Sequence, residues 1–175
     1  MMLDQFPVKI LGIDPGSRRT GWGVIASSGN RVTHIASGVI TATHDSVAER
    51  LVAIALGLED ILEQYKPSAV AIETVFFAKN SQSALILGEA RGVAIVSTVR
   101  FGANLFEYTA GQIKQAVTGR GRADKEQVQE MVCLILGLDK IPRALDTSDA
   151  LAAAICHAER TATPNAVWLQ TLKGA

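Results

Sequence analysis

The sequence predicts a single α/β domain, a five-stranded mixed sheet flanked by helices. Three observations carry this. Apolar, β-branched runs occur three times before residue 41 and recur at 69–72 and 105–108. Segments with apolar residues at helical spacing lie between and after them. A chain of 175 residues, 48% apolar and 19% charged, suits one domain with a full core and no disulfide or metal staple.

Residues 8–13 are apolar apart from Lys9 and Gly12, and Pro15-Gly16 bounds them. This predicts a buried central strand whose last residue is Asp14. A lone buried charge is costly unless paired or coordinated, but from this stretch alone a turn-forming role for Asp14 is an equal alternative. Strands over 21–26 and 31–40, joined at Ser27-Ser28-Gly29-Asn30, extend the first into an antiparallel meander. A helix follows over 46–65, with Leu51, Ile54, Leu58, Ile61, Leu62 and Tyr65 on its apolar face, closed by Pro67. The strand at 69–72 ends at Glu73.

The helix over 81–100 is rich in small residues. Gly88 and Gly92 stand four apart among Ala84, Ala90 and Ala94, a face for close packing inside the fold or against a second subunit. After the strand at 105–108, Thr109 caps a helix over 110–117 and Gly119-Arg120-Gly121-Arg122 forms a mobile basic loop. Asp124 caps the next helix, whose core stripe is Val128, Met131, Val132, Ile135 and Leu136 and whose end is Gly137. Ile141-Pro142 lies in a linker, and Asp146 caps a last helix reaching about Glu159. The domain is expected over 1–160, with a flexible C-terminal tail over 161–175.

No run is long and apolar enough for a membrane span, and residues 1–7 do not read as a signal peptide. Cys133 and Cys156 stand without partner spacing and are expected as buried free thiols, which points to a cytoplasmic protein. Formal net charge is zero, yet 79–125 holds seven basic and three acidic residues, a net +4. A basic middle beside an acidic remainder is compatible with a polyanion held around a metal site, and equally with an ordinary surface.

Four carboxylates fall into related places. Parallel pairing of the first and fourth strands would put Asp14 and Glu73 at one sheet edge, and Asp146 and Asp149, three apart, share a helix face. Converging acids repel unless a hard cation neutralises them, and oxygen-only ligands suit magnesium or manganese rather than zinc. Two such ions would activate water and stabilise the leaving oxygen of a phosphodiester. His157 lies about 12 Å along the helix from Asp149 and is expected to be structural; His34 and His44 are expected at the surface. One of Phe76 and Phe77 is expected to be core and the other exposed, and the sequence leaves open which.

A series of motifs in order carries a resemblance: residues 12–18 (GIDPGSR) with Thr20-Gly21, residues 71–73 (AIE) with 75–80 (VFFAKN), Ser83-Ala84-Leu85 with Ala90-Arg91-Gly92, residues 113–117 (IKQAV) with Gly119, Gly121 and Ala123-Asp124-Lys125, and Asp146 with residues 149–152 (DALA). Over residues 10–157 the chain resembles the RuvC family of bacterial Holliday-junction resolvases, within the ribonuclease H-like superfamily. The resemblance implies a ribonuclease H-like fold and a homodimeric endonuclease. That enzyme would resolve four-way DNA junctions in recombination and repair by paired, metal-dependent nicks. It implies Asp14, Glu73, Asp146 and Asp149 as catalytic carboxylates and ligands of Mg2+, two ions per subunit, with Mn2+ able to substitute. It implies DNA contacts by Phe76, Phe77, Lys79, Lys114, Arg120, Arg122 and Lys125, and a branch-migration motor of RuvA and RuvB as partner. Trp22, Glu89 and Thr147-Ser148 depart from the family's usual residues, and Glu89 bears on dimer strength.

Three rival readings stand beside it. An actin-like ATPase shares the opening Gly-Ile-Asp motif but needs a second lobe for which 175 residues leave no room. A non-catalytic junction-binding module is expected to lack some of the carboxylates. A ribonuclease H-like nuclease acting on RNA is separated only by the basic features between Lys79 and Lys125.

Overall fold

The computed structural model of the chain describes residues 7–28, 31–74, 81–139 and 145–162. Its strands are β1 (Val8–Asp14), β2 (Arg19–Ser28), β3 (Arg31–Thr41), β4 (Ala69–Glu73) and β5 (Asn104–Tyr108). Its helices are α1 (Val47–Tyr65), α2 (Ser81–Phe101), α3 (Ala110–Thr118), α4 (Lys125–Leu136) and α5 (Leu145–Thr161). The sheet order is β3-β2-β1-β4-β5. β1, β2 and β3 pair antiparallel, as the meander predicts, and β4 runs parallel to both β1 and β5.

The sheet divides two cores by the period-2 alternation of its strands. Ile10 on β1, Ala69 and Ala71 on β4, and Ile25 on β2 face α3, α4 and α5. Leu11, Ile13, Val24, Val70 and Ile72 face α1 and α2. Counting by twos from Ile10 and Ala69 therefore brings Asp14 and Glu73 onto the α5 face. Nothing in the hydrophobic pattern of either strand is interrupted to achieve this.

Helix ends follow capping chemistry. The side chains of Thr109 and Asp124 each accept from the backbone N–H three residues on, and Gln112 and Gln127 close both capping boxes. Gly119 and Gly137 end α3 and α4 in the left-handed region, where a Cβ is penalised. Ser46 caps α1 at its start and Lys66 at its end, before the buried Pro67. Asp146 differs from expectation: it is the second residue of α5, inside the first turn rather than before it, so its carboxylate remains available for other partners. α5 includes Thr161, the residue at which the sequence places the start of the tail.

Around α5 the packing is unusually close. Ala150 to Ala158 are all buried, and five of these nine are alanines. The sheet beneath is floored by glycine. Gly12 on β1 pairs with Gly23 on β2, and Gly21 lies opposite Asp14. A Cβ on Gly12 would overlap the Ala150 carbonyl, one on Gly21 the Asp146 backbone, and one on Gly23 the Leu151 side chain. Small residues on both surfaces bring the N-terminal half of α5, with its two aspartates, down onto the β1–β2 pair.

Cys156 is buried as expected, whereas Cys133 is only half-buried, on the flank of α4. His157 is buried and structural: its Nδ1 shares a 2.7 Å hydrogen bond with the Tyr108 hydroxyl, and Phe106 packs on its ring. His44 is exposed, but His34 is half-buried and hydrogen-bonded to Ser37 at 2.9 Å. Among the described residues, no helix is long and apolar enough to cross a membrane.

Candidate active site

The carboxyl end of the β1–β4 pair is where the acidic residues meet. Parallel register matches Ile13 with Ile72, so the next step along both strands sets Asp14 beside Glu73. The N-terminal part of α5 adds Asp146, in its first turn, and Asp149, in its second, from above. Their mutual influence is visible in the carboxyl groups. Burial pushes Asp14 up to about 7, and the charges of Asp149, Asp146 and Glu73 add to it, with Lys125 opposing. Burial and then Asp149 push Glu73 upward, with Lys114 and Lys125 opposing. The four acids thus act on one another electrostatically at one end of the sheet.

Two of the acids are held by cations of the chain. Arg19 Nε donates to Asp146 Oδ2 at 2.9 Å, and Lys125 Nζ donates to Asp149 Oδ2 at 2.8 Å. The Asp149 hydrogen bond is the leading cause of an upward shift of the Lys125 ammonium, against the opposing cost of its burial. Among the described residues, no three Asp, Glu, His or Cys side chains are gathered tightly enough to form a metal-binding group. The acids are close enough to couple electrostatically, and two of them carry ion pairs. Their chemistry nevertheless fits a hard divalent cation. The donors are all oxygen, and one of them is held near neutrality by burial and by its own neighbours.

Beside Glu73 and Asp149 opens a cavity of about 220 Å³, lined also by Ala110, Ile113, Lys114, Lys125, Val128 and Ala152. Lys114, half-buried on α3, and Lys125, the first residue of α4, thus bring positive charge to an acidic pocket. Arg120 and Arg122 are exposed on the α3–α4 loop. Arg120 lines a separate depression with Gln127 and Glu130. Along this loop Thr118 Oγ1 accepts from the Arg120 N–H, and Ala123 is buried. Two other cations of the basic stretch are engaged elsewhere, Arg91 with Glu107 at 2.8 Å and Arg100 with Glu59 at 3.6 Å. Phe76, Phe77 and Lys79 lie outside the described residues.

Sequence reasoning missed Arg19 and the glycine floor. Both had a signal. Arg19, Gly21 and Gly23 alternate along β2, so all three fall on the face that receives α5. A larger depression of about 400 Å³ lies between α1 and α2 on the other face of the sheet, lined by Glu59, Asp60, Glu63 and Arg100 among others, away from these acids.

Known proteins resemble this chain in sequence and in fold. The family model described as crossover junction endodeoxyribonuclease RuvC matches residues 10–157. The protein of that name from Citrifermentans bemidjiense is 55% identical over 150 residues, covering 85% of this chain and 91% of the relative. Its counterpart from Rubrobacter xylanophilus is 47% identical over 90% and 89% of the two chains. Among solved structures, T. thermophilus RuvC in complex with Holliday junction substrate superposes with a TM-score of 0.82 at 34% identity, over 87% of this chain and 94% of that one. The yeast mitochondrial Holliday junction resolvase Ydc2, 14% identical, shares the fold with a TM-score of 0.60 over 95% of this chain and 81% of that one. The chain belongs to the RuvC family of crossover junction endodeoxyribonucleases.

Proposed function

We propose that the chain binds four-way DNA junctions and hydrolyses one phosphodiester per subunit at the Asp14, Glu73, Asp146 and Asp149 cluster, as a homodimer with two symmetric sites. The observation that carries the catalytic assignment is the parallel register that sets Asp14 beside Glu73 at one sheet edge, with Asp146 and Asp149 of α5 near enough to push the Asp14 carboxyl upward. A cluster of acids that disfavour one another's charge favours added positive charge among them. The four carboxylates would hold Mg2+, two ions per subunit, with Mn2+ as a substitute. Bound there, the metal supplies water activation and charge stabilisation at the leaving oxygen.

The chain's own residues then have distinct tasks. Asp14 and Glu73, fixed at the ends of paired strands, are the rigid half of the donor set. Asp146 and Asp149, each ion-paired with a basic side chain, are the half supplied by α5. Lys114 and Lys125 line the cavity beside Glu73 and Asp149 and would draw a phosphate into it. Arg120 and Arg122, exposed on the α3–α4 loop, would contact the backbone farther along. Phe76, Phe77 and Lys79 would complete the DNA surface.

The dimer would form through α2. Leu85, Val96 and Val99 on that helix are 65%, 55% and 60% exposed. A Cβ on Gly88 or Gly92, on the same stripe, would meet nothing within 4 Å among the described residues. A two-fold dimer matches the symmetry of a junction that needs two cuts. A motor of RuvA and RuvB would deliver the junction, and the domain over 1–160 would act with the tail over 161–175 as an appendage.

The test is incubation with a labelled immobile four-way junction and a matched linear duplex, with and without magnesium. Paired nicks in the junction alone, requiring magnesium, are expected. Equal cutting of the duplex, or cutting in a chelator, would overturn the reading.

A further inference from the structure

Among the described residues, Arg19 is the cation at the site that neither the fold's pairing nor the proposed DNA surface explains. It is the first residue of β2, its backbone paired with Thr41, and alternation with Gly21 puts its side chain on the α5 face. Its Nε reaches Asp146 Oδ2 at 2.9 Å, and its side chain remains 53% exposed. Gly21, two residues on, gives the Asp146 backbone room to settle at this point. The ion pair therefore sits on a carboxylate whose position is fixed by backbone packing, with solvent on the far side of the guanidinium.

We propose that Arg19 is a displaceable counter-ion of the catalytic cluster: it holds Asp146 in the cation-free chain and is released when a divalent cation binds. This rests on the reading of the four carboxylates as a divalent-cation site. The physical reason is charge density. Four acids at one sheet edge repel, and two of them, Asp146 and Asp149, are compensated by chain cations. A divalent cation placed among the same acids competes for Asp146 oxygens and repels the guanidinium. Arg19 then turns to solvent, where its fork-like donors suit a phosphate oxygen. Lys125 does the corresponding service at Asp149, but it also lines the substrate cavity. Arg19 does not line that cavity, so its substitution isolates the counter-ion effect. It is a positioning residue, acting through Asp146.

The test is calorimetric titration of the metal-free full chain with Mn2+ alone, comparing wild type, Arg19→Gln, Arg19→Lys and Asp14→Asn. Arg19→Gln is expected to bind Mn2+ about fivefold more tightly, the scale of one exposed ion pair. Arg19→Lys, which keeps the charge, is expected to stay near wild type. In thermal melts, Arg19→Gln should lower the midpoint of the metal-free chain and leave that of the Mn2+-saturated chain unchanged. Unchanged or weaker Mn2+ binding by Arg19→Gln, or Arg19→Lys behaving like Arg19→Gln, overturns the proposal while Asp14→Asn still shows the loss that marks the site. If wild type and Asp14→Asn bind Mn2+ alike, the metal-site reading fails and this inference falls with it.

Discussion

Gly12 of β1 and Ala150 of α5 approach so closely that a single methyl group at Gly12 would overlap the Ala150 carbonyl oxygen. The overlap is with backbone, so no rotamer change relieves it. Gly12→Ala should cost about 3 kcal/mol of stability, the upper part of the range for overpacking. Gly23→Ala, whose added carbon meets the Leu151 side chain, should cost less. Urea denaturation of both variants checks the ranking. Equal losses would mean that α5 is free to lift off the sheet.

The same contact bears on chemistry, because it sets the height of Asp149 above Asp14. Asp14→Asn removes the most perturbed acid of the cluster while keeping its shape. Single-turnover cleavage of a four-way junction should fall by at least a thousandfold, about 4 kcal/mol in the barrier. Gel-shift affinity for the same junction should remain within about twofold, since affinity comes chiefly from basic contacts to phosphates.

The raised Asp14 carboxyl also fixes the sign of a pH dependence. It titrates near 3.8 in the unfolded chain and near 7 in the folded one, so between those values the folded state binds more protons. Stability of the metal-free chain contributed by this group is therefore greatest below about pH 4 and falls as pH rises to 7. Glu73, also pushed upward by burial and Asp149, acts in the same direction. At pH 8 the metal-free Asp14→Asn variant should be more stable than wild type by at least ~1 kcal/mol, since even a tenfold difference in proton affinity between the two states is worth that much. Chemical denaturation at pH 5 and pH 8 in a chelator measures it, and divalent-cation affinity should rise across the same interval.

Much of this site was legible in the sequence because strands and capped helices obey short-range rules. Apolar runs ending in Asp14 and Glu73 give both acids a strand end, and a three-residue spacing gives Asp146 and Asp149 one helix face. The Thr109 and Asp124 capping boxes and the Gly137 end are local chemistry and match the structure. What local pattern does not contain is which distant surfaces touch. The pairing of Arg19 with Asp146 spans 127 residues. A helix cap at Asp146 is a sound local expectation, but Asp146 lies within α5 and its carboxylate pairs with Arg19 instead. Gly12, Gly21 and Gly23 mark a close approach only once α5 is laid across them.

The exposed stripe on α2 gives a further expectation. Leu85, Gly88, Gly92, Val96 and Val99 recur three or four residues apart, one face of a helix with no neighbour among the described residues. Glu89 borders the stripe and is exposed. Val96→Glu should shift the chain from dimer to monomer in light scattering at micromolar concentration, without loss of helical content. Glu89→Gln, by removing two like charges from a two-fold interface, should tighten the dimer about two- to fivefold. A wild-type chain that is monomeric yet makes paired cuts would sink the α2 interface.

Phe76 follows Glu73 by three residues, a distance the backbone spans in no more than about 11 Å. The pair Phe76-Phe77 lies outside the described residues, so the prediction rests on sequence and energetics. A phosphate entering an acidic pocket at a junction must leave a stacked duplex step, and unstacking costs a few kcal/mol. An aromatic ring receiving the exposed base returns roughly 1–3 kcal/mol of it. Lys114, Arg120, Arg122 and Lys125 persist in a Phe76→Ala variant, so junction affinity should stay nearly unchanged. Cleavage of bound junctions should fall at least tenfold, about 1.4 kcal/mol. Phe77→Ala should instead lower thermal stability if Phe77 is the core member of the pair. Single-turnover cleavage, gel shift and thermal melts on both variants separate the roles. A sharp stability loss in Phe76→Ala with unchanged cleavage of bound junctions would assign the stacking ring to Phe77.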